Sequence, residues 1–190
     1  MEQLKNKIRS YTKISDANLE YALQFYREIG FNKGDLLIKP DQYVRYFYFL
    51  KKGCICYYTE DGAGTKVMEF FTEGDFFTDL YAYIEEIPSA SYLSATEDCI
   101  VYAILKEDVE KSFDRSHELE RFGRLSMQDG FVQLFRRNNH LKNLTPQERY
   151  QRLLQKRPDL FQRVPQYLIA SYLGLTPVGL SKIRKRLATS

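Results

Sequence analysis

The spacing of hydrophobic residues changes twice along this chain, and each change marks a new kind of element. Over the first thirty residues the period is helical. Leu19, Ala22, Leu23 and Tyr26 share a face, Ser15 is the expected N-cap, and Gly30 is expected to end the pattern. From Phe31 to about Ile104 the apolar runs shorten, carry Tyr, Phe, Ile and Val, and are broken by Gly, Pro and Asp. Strands are expected at 36–38, 46–50, 54–58, 66–71, 91–95 and 100–104, which predicts a sandwich or barrel. Asp61–Gly62–Ala63–Gly64 reads as a hairpin turn, since glycine supplies positive φ.

After residue 105 the helical period returns. A short helix is expected over 106–113 and a long one over 116–140, with Leu119, Phe122, Leu125, Phe131, Val132, Leu134 and Phe135 spaced mostly by three or four. Two dozen residues make a rod of roughly 36 Å. Its apolar stripe must be covered, either by the chain's own barrel or by the same helix of a second copy, and pairing is the favoured reading. Thr145 and Glu148 form a capping box around Pro146, opening a further helix over 146–156 at a natural domain boundary. The expected domains are a β-domain at 1–115, the long helix and linker at 116–141, and a helical domain at 142–190.

The segment 166–187 carries the strongest functional pattern. Leu168, Ile169 and Leu173 form one helix face, Ala170 suits a close helix approach, and Gly174 supplies a left-handed turn. Thr176 and Pro177 then start a second helix with Leu180, Ile183 and Leu187 inward. Small residue, glycine four later, then apolar residues at ten and thirteen is the spacing of a DNA-reading helix-turn-helix. Val178, Ser181, Lys182 and Lys185 then face outward. Lys182 is suited to guanine acceptors, Ser181 to several bases and Val178 to a thymine methyl. Arg184, Lys185 and Arg186 are suited to phosphates, and Gln166 and Thr176 join them as candidate contacts at the two helix starts.

Charge strengthens this picture. Residues 141–190 hold ten Lys/Arg and two Asp/Glu, a balance of +8, whereas residues 1–140 hold eighteen and twenty-three, a balance of −5. A basic C-terminal part suggests a polyanionic partner. Composition is ordinary for a globular protein, at 44% hydrophobic and 28% charged residues. Neither a bilayer-length apolar run nor a secretory signal is visible, so the expected location is the cytoplasm. Cys54, Cys56 and Cys99 are an odd number in strand-like segments, expected as reduced core thiols, and His117 and His140 lack nearby ligand partners. Neither a phosphate loop nor a nucleophile elbow is present, so catalysis is not expected.

A β-roll, a long helix and a helix-turn-helix, in that order, resemble the cyclic-AMP receptor protein and fumarate–nitrate regulator (Crp/Fnr) family of bacterial transcription regulators. The resemblance covers nearly the whole chain. It rests also on Lys33–Gly34–Asp35, Phe47–Tyr48–Phe49–Leu50, Gly53 and Gly74–Asp75–Phe76–Phe77, which are similar to the family's β-roll. It implies an α+β fold: an N-terminal double-stranded β-helix like cyclic-nucleotide-binding domains, a dimerisation helix and a C-terminal helix-turn-helix. It also implies a homodimer on near-palindromic duplex DNA, with RNA polymerase as a further partner.

Two departures from the family matter. Nucleotide-binding members carry Gly-Glu-Leu, with Glu on the ribose hydroxyl, and then Arg-Ser, with Arg on the cyclic phosphate. Here these read Thr78–Asp79–Leu80 and Ser89–Ala90, and Lys or Arg is absent between Lys66 and Lys106. A buried phosphate without a cation loses its charge-assisted hydrogen bonds. Tight binding of cyclic AMP or cyclic GMP is therefore not expected, no cofactor is assigned, and the effector of this candidate pocket stays open. Too few cysteines exist for the family's iron–sulfur cluster, and no histidine lies in the β-roll for haem. At the DNA-reading helix the family's Arg-Glu pair and later Arg become Pro177, Val178 and Lys182, so its usual half-site is not carried over. With the chain ending at Ser190, a wing of β-strands is not expected. The alternatives are a regulator of this architecture gated by an atypical nucleotide or other small ligand, a cupin-like metal enzyme, and a module whose terminal helices bind protein.

Overall fold

A computed structural model of the chain describes residues 1–62 and 64–188, and the side chain of Ala188 is not among the described groups. Ala63, in the expected hairpin turn, lies outside the described residues. The described chain runs α1 (Glu2–Tyr11), α2 (Asp16–Leu23), β1 (Arg27–Phe31), β2 (Leu36–Ile38), β3 (Tyr46–Lys52), β4 (Ile55–Asp61), β5 (Gly64–Phe71) and β6 (Phe76–Phe77). It continues α3 (Leu80–Glu85), β7 (Tyr92–Ala95), β8 (Cys99–Leu105), α4 (Lys106–Arg115), α5 (His117–Asn143), α6 (Pro146–Lys156), α7 (Leu160–Arg163), α8 (Gln166–Tyr172) and α9 (Pro177–Ala188). The strands form two four-stranded sheets, ordered β1-β8-β3-β6 and β2-β7-β4-β5. Every paired register that is defined is antiparallel, and the architecture is the expected β-roll followed by helices.

The chain separates into two compact units, Met1–Tyr57 with Phe70–Phe131, and Tyr58–Glu69 with Val132–Ser190. Period-2 alternation organises the first. On β3, Tyr48 and Leu50 enter the core with Val101 and Ala103 of β8, while Phe49 points the other way. There Phe49 and Tyr102 meet Leu4 and Ile8 of α1 and Leu19 and Leu23 of α2. Both faces of β3 and β8 are thus covered, which is why these strands read as unbroken apolar runs. Phe77 stacks between Tyr48 and Phe71, with centroids 5.2 and 5.1 Å away.

Gly53 shows how tightly this core is closed. Its φ is +106°, and a Cβ there would lie 2.4 Å from the Cys99 sulfur and 2.9 Å from the Asp98 carbonyl oxygen. Cys54, Cys56 and Cys99 are buried and unbridged.

The first thirty residues differ from their expected form. Ser15 does cap α2, but the helix stops at Leu23, and Gly30 lies inside β1 opposite Ile100. The expectation that Gly30 ends a helix is corrected: β8, far along the chain, supplies the hydrogen-bond partners that make 27–31 a strand. The same cause produces β6, whose Phe76 and Phe77 pair with Phe49 and Tyr48.

In the second unit Thr145 accepts from the Glu148 N–H, and the Glu148 carboxylate takes the Thr145 N–H at 2.8 Å, closing the expected capping box. Tyr150, Leu153, Leu160, Val164 and Ile169 are buried.

Candidate functional site

The turn between α8 and α9 follows from four residues. Gly174 has φ +67°, its N–H donates to the Ser171 carbonyl at 2.9 Å, and the Leu175 N–H donates to the Ala170 carbonyl at 2.8 Å. These two bonds close a Schellman ending and satisfy carbonyls that α8 would otherwise leave open. Thr176 Oγ1 then accepts from the Gly179 N–H at 3.1 Å, and Pro177 opens α9. Ala170 is fully buried, and Leu180 and Ile183 retain only 2% and 7% exposure. The opposite face is open. Val178 is 65% exposed, and Ser181, Lys182, Arg184, Lys185 and Arg186 are all exposed, as are Gln166 and Thr176. Arg186 also reaches Gln147 of α6, at 3.4 Å.

α5 divides its apolar residues. Leu119 is buried and Phe122 half-buried, with the Phe122 ring 5.5 Å from Phe76 and 5.9 Å from Tyr11. Further along, Phe131, Leu134 and Phe135 are 65%, 57% and 58% exposed. Positions 131, 134 and 135 lie on one helix face. The chain's own β-roll thus covers the first half of this stripe, and residues 131, 134 and 135 of the second half stay exposed.

Of the candidate effector residues, Asp79 and Ser89 converge on one another and the other three do not. Asp79 is the N-cap of α3, its side chain accepting from the Ala82 N–H at 3.4 Å. Its Oδ2 accepts from the Ser89 hydroxyl at 2.7 Å and its Oδ1 from the Tyr57 hydroxyl at 3.0 Å. Ser89 also accepts the Ser91 N–H at 3.0 Å. Asp79 and Ser89 are 3% and 2% exposed. Thr78 is turned away, donating to the Tyr46 carbonyl at 2.9 Å, Leu80 begins α3, and Ala90 is exposed.

Tyr57 escaped the sequence reading. It sits in a run of strand residues where nothing local shows which one meets Asp79. Burial, and secondarily the Asp79 charge, pushes its phenol well above its ordinary value, so it stays a donor. Among the described residues no group of three or more His, Cys, Asp and Glu is placed to hold a metal. No helix among them is long and apolar enough to cross a membrane.

Comparison with known proteins adds a domain match and a shared fold. Residues 28–116 match the model of the cyclic nucleotide-binding domain. No curated protein sequence matches the chain significantly. Among solved structures, FixK2 from Bradyrhizobium japonicum is 20% identical with a TM-score of 0.72, covering 86% of this chain and 85% of its own. The c-di-GMP responsive global regulator CLP of Xanthomonas campestris is 18% identical with a TM-score of 0.71, covering 92% of each chain. The catabolite activator protein of Thermus thermophilus is 15% identical with a TM-score of 0.59, covering 96% of this chain and 87% of its own. Residues 28–116 thus match the cyclic nucleotide-binding domain, within a fold that the chain shares with FixK2, CLP and the catabolite activator protein.

Proposed function

We propose that the protein is a DNA-binding transcription regulator that works as a homodimer in the cytoplasm and catalyses no reaction. In this reading 142–190 is the DNA-binding domain, α8 and α9 are its helix-turn-helix, and 116–141 is the dimerisation helix and linker. The β-roll at 1–115 is the sensory domain. One observation carries it: after a Schellman turn, α9 buries Leu180 and Ile183 and turns Val178, Ser181, Lys182, Arg184, Lys185 and Arg186 to solvent. A helix with a small outer profile at its start and cations along its exposed side fits a major groove, its first turns on base edges and its later cations on phosphates. The exposed Phe131–Leu134–Phe135 face suits pairing with a second copy, and RNA polymerase is the partner such a regulator would meet on DNA.

Selection of bound sequences from random duplexes tests this directly. The expected product is a near-palindrome with half-sites about one turn, ~34 Å, apart, bound with an affinity that falls steeply with salt. Failure to bind duplex DNA in a salt-dependent way overturns the reading in favour of a protein-binding module.

The effector proposal follows from Asp79. Its hydroxyl partners already reach both carboxylate oxygens, and the stretch between Lys66 and Lys106 that holds Ser89 carries no Lys or Arg to meet a phosphate. A cyclic phosphate entering here would break those bonds and find no charge partner. Cyclic AMP and cyclic GMP are therefore expected to bind weakly, and calorimetric affinity at micromolar or better would overturn that. A second reading, gating by an atypical nucleotide, is favoured by the family match over 28–116 and by the c-di-GMP responsiveness stated for CLP. Including c-di-GMP in the same calorimetric panel separates the two.

A further inference from the structure

Four segments of the second unit meet around the C-terminal end of α8. Arg149 of α6 donates through Nε to the Leu173 carbonyl at 2.8 Å, and through Nη1 to the carbonyls of Leu144 at 2.7 Å and Leu141 at 3.3 Å. One guanidinium thus gathers the open carbonyls at the ends of two other helices, α5 and α8. Both helix ends carry partial negative charge, and a planar cation with several fixed donors is suited to hold them together.

A second arginine repeats the arrangement from the other side. Arg137 of α5 donates to the Val67 carbonyl at 2.7 Å and the Tyr172 carbonyl at 3.4 Å, and lies 4.8 Å from the Tyr172 ring centroid. Ser171 of α8 donates to the Thr65 carbonyl at 2.7 Å and accepts the Val67 N–H at 2.9 Å. Arg157 approaches Glu69 at 3.5 Å. β5 therefore presents two backbone groups to one hydroxyl of α8, as an edge strand presents them to a neighbour.

We propose that this joint is a specificity determinant: by locking α8, and α9 behind it, at one angle to α5, Arg149 and Ser171 set the spacing of the two DNA half-sites. The inference rests on the DNA-binding homodimer reading above. Its physical basis is stiffness. Adding or removing one base pair moves a half-site by ~3.4 Å along the duplex and turns it around the axis. A pair of reading helices rigidly fixed to a shared stalk cannot follow that change without breaking contacts, whereas a loosened joint can. Arg149 and Ser171 touch no base in this scheme; they are positioning residues.

The test compares the wild type with Arg149→Gln, Arg149→Lys and Ser171→Ala on duplexes that carry the selected half-sites with spacers shortened and lengthened by one and two base pairs. The wild type is expected to bind the one-pair variants about tenfold more weakly than the selected spacing, a penalty of the size of a mismatched pair. In Arg149→Gln and Ser171→Ala that penalty is expected to shrink to about twofold, while the ranking of half-site sequences stays unchanged. Arg149→Lys, which keeps the charge but not the fork, is expected to fall between. Ser171→Ala preserves a good helix former, so it remains informative if Arg149→Gln fails to fold. Equal loss of affinity at every spacing, or an unaltered spacing preference in both variants, overturns the inference and leaves the DNA-binding reading standing. A wild type that binds no duplex overturns the DNA-binding reading and the inference with it.

Discussion

At Asp79 the polar groups turn towards one another, whereas on α9 they turn towards solvent. Both places hold residues singled out by resemblance to one family, and both depart from that family's residues. Their chemistry has gone in opposite directions. In the β-roll, Ser89 and Tyr57 both donate to the Asp79 carboxylate, so the network satisfies it from within the domain. On α9, charged and hydroxyl groups stay exposed around a packed inner stripe. Matching a family position therefore says little about a site until the partners of its polar atoms are known.

The largest effect expected concerns how the α9 face is presented. Replacing Phe131 and Phe135 with Glu should convert the proposed dimer to monomer in sedimentation and weaken binding to a palindrome by about 10²–10⁴-fold, since the second half-site loses its effective concentration. Unchanged mass and affinity would show that the exposed stripe does not pair. Next, Lys182→Ala should weaken specific binding by about ten- to a hundredfold and relax selectivity at one base position. Arg184→Ala should weaken all duplexes alike and lower the salt slope by about 1.8, since each of the two subunits loses one phosphate contact. Equal behaviour of the two would erase the division between base and phosphate contacts.

The closed side can be broken as well. Asp79→Ala strands two hydroxyls and removes the α3 cap, at about 2–3 kcal/mol, seen as a fall in Tm of about 4–10 °C. A smaller fall would mean that the network is dispensable and the pocket open to ligands. The smallest effect is one of pH. His140 is held below its ordinary value of 6.5, first by burial and then by Arg152, Lys156 and Arg136. Below that value the unfolded chain takes up a proton that the folded chain resists, so stability falls as pH drops through 6.5 and levels off once folded His140 is protonated. His140→Gln should flatten this part of a Tm-against-pH curve; an unchanged slope would assign it to other groups.

Much of the fold could be read before the structure because its causes are local. The strands β2, β3, β4, β5, β7 and β8, the helix at 146–156 and the α8–α9 turn came from period, capping and glycine placement. β1 and β6 did not, because a five-residue and a two-residue strand carry too little pattern of their own and exist through pairing with β8 and β3. Of the candidate pocket, Asp79 and Ser89 were identified as a substituted pair, but their hydrogen bond and the part played by Tyr57 were not. Ten residues separate the first two and twenty-two separate Tyr57 from Asp79. No spacing rule spans a strand, a helix and a turn at once.

What the sequence determined by itself were features whose partners lie within one turn of the chain: the Thr145–Glu148 box, the glycine ending of α8, the Thr176–Pro177 start of α9 and the inward stripe behind its cations. Their energetics close over three or four residues, so they are written in the order of the residues. Tertiary structure alone decided that the Asp79 carboxylate would be satisfied from inside, by Tyr57 and Ser89. It alone brought Arg149, Arg137 and Ser171 to one joint, with Ser171 more than a hundred residues from the strand that it binds. Directional bonds between distant segments need the backbone to be placed first, and that placement depends on the packing of every element at once.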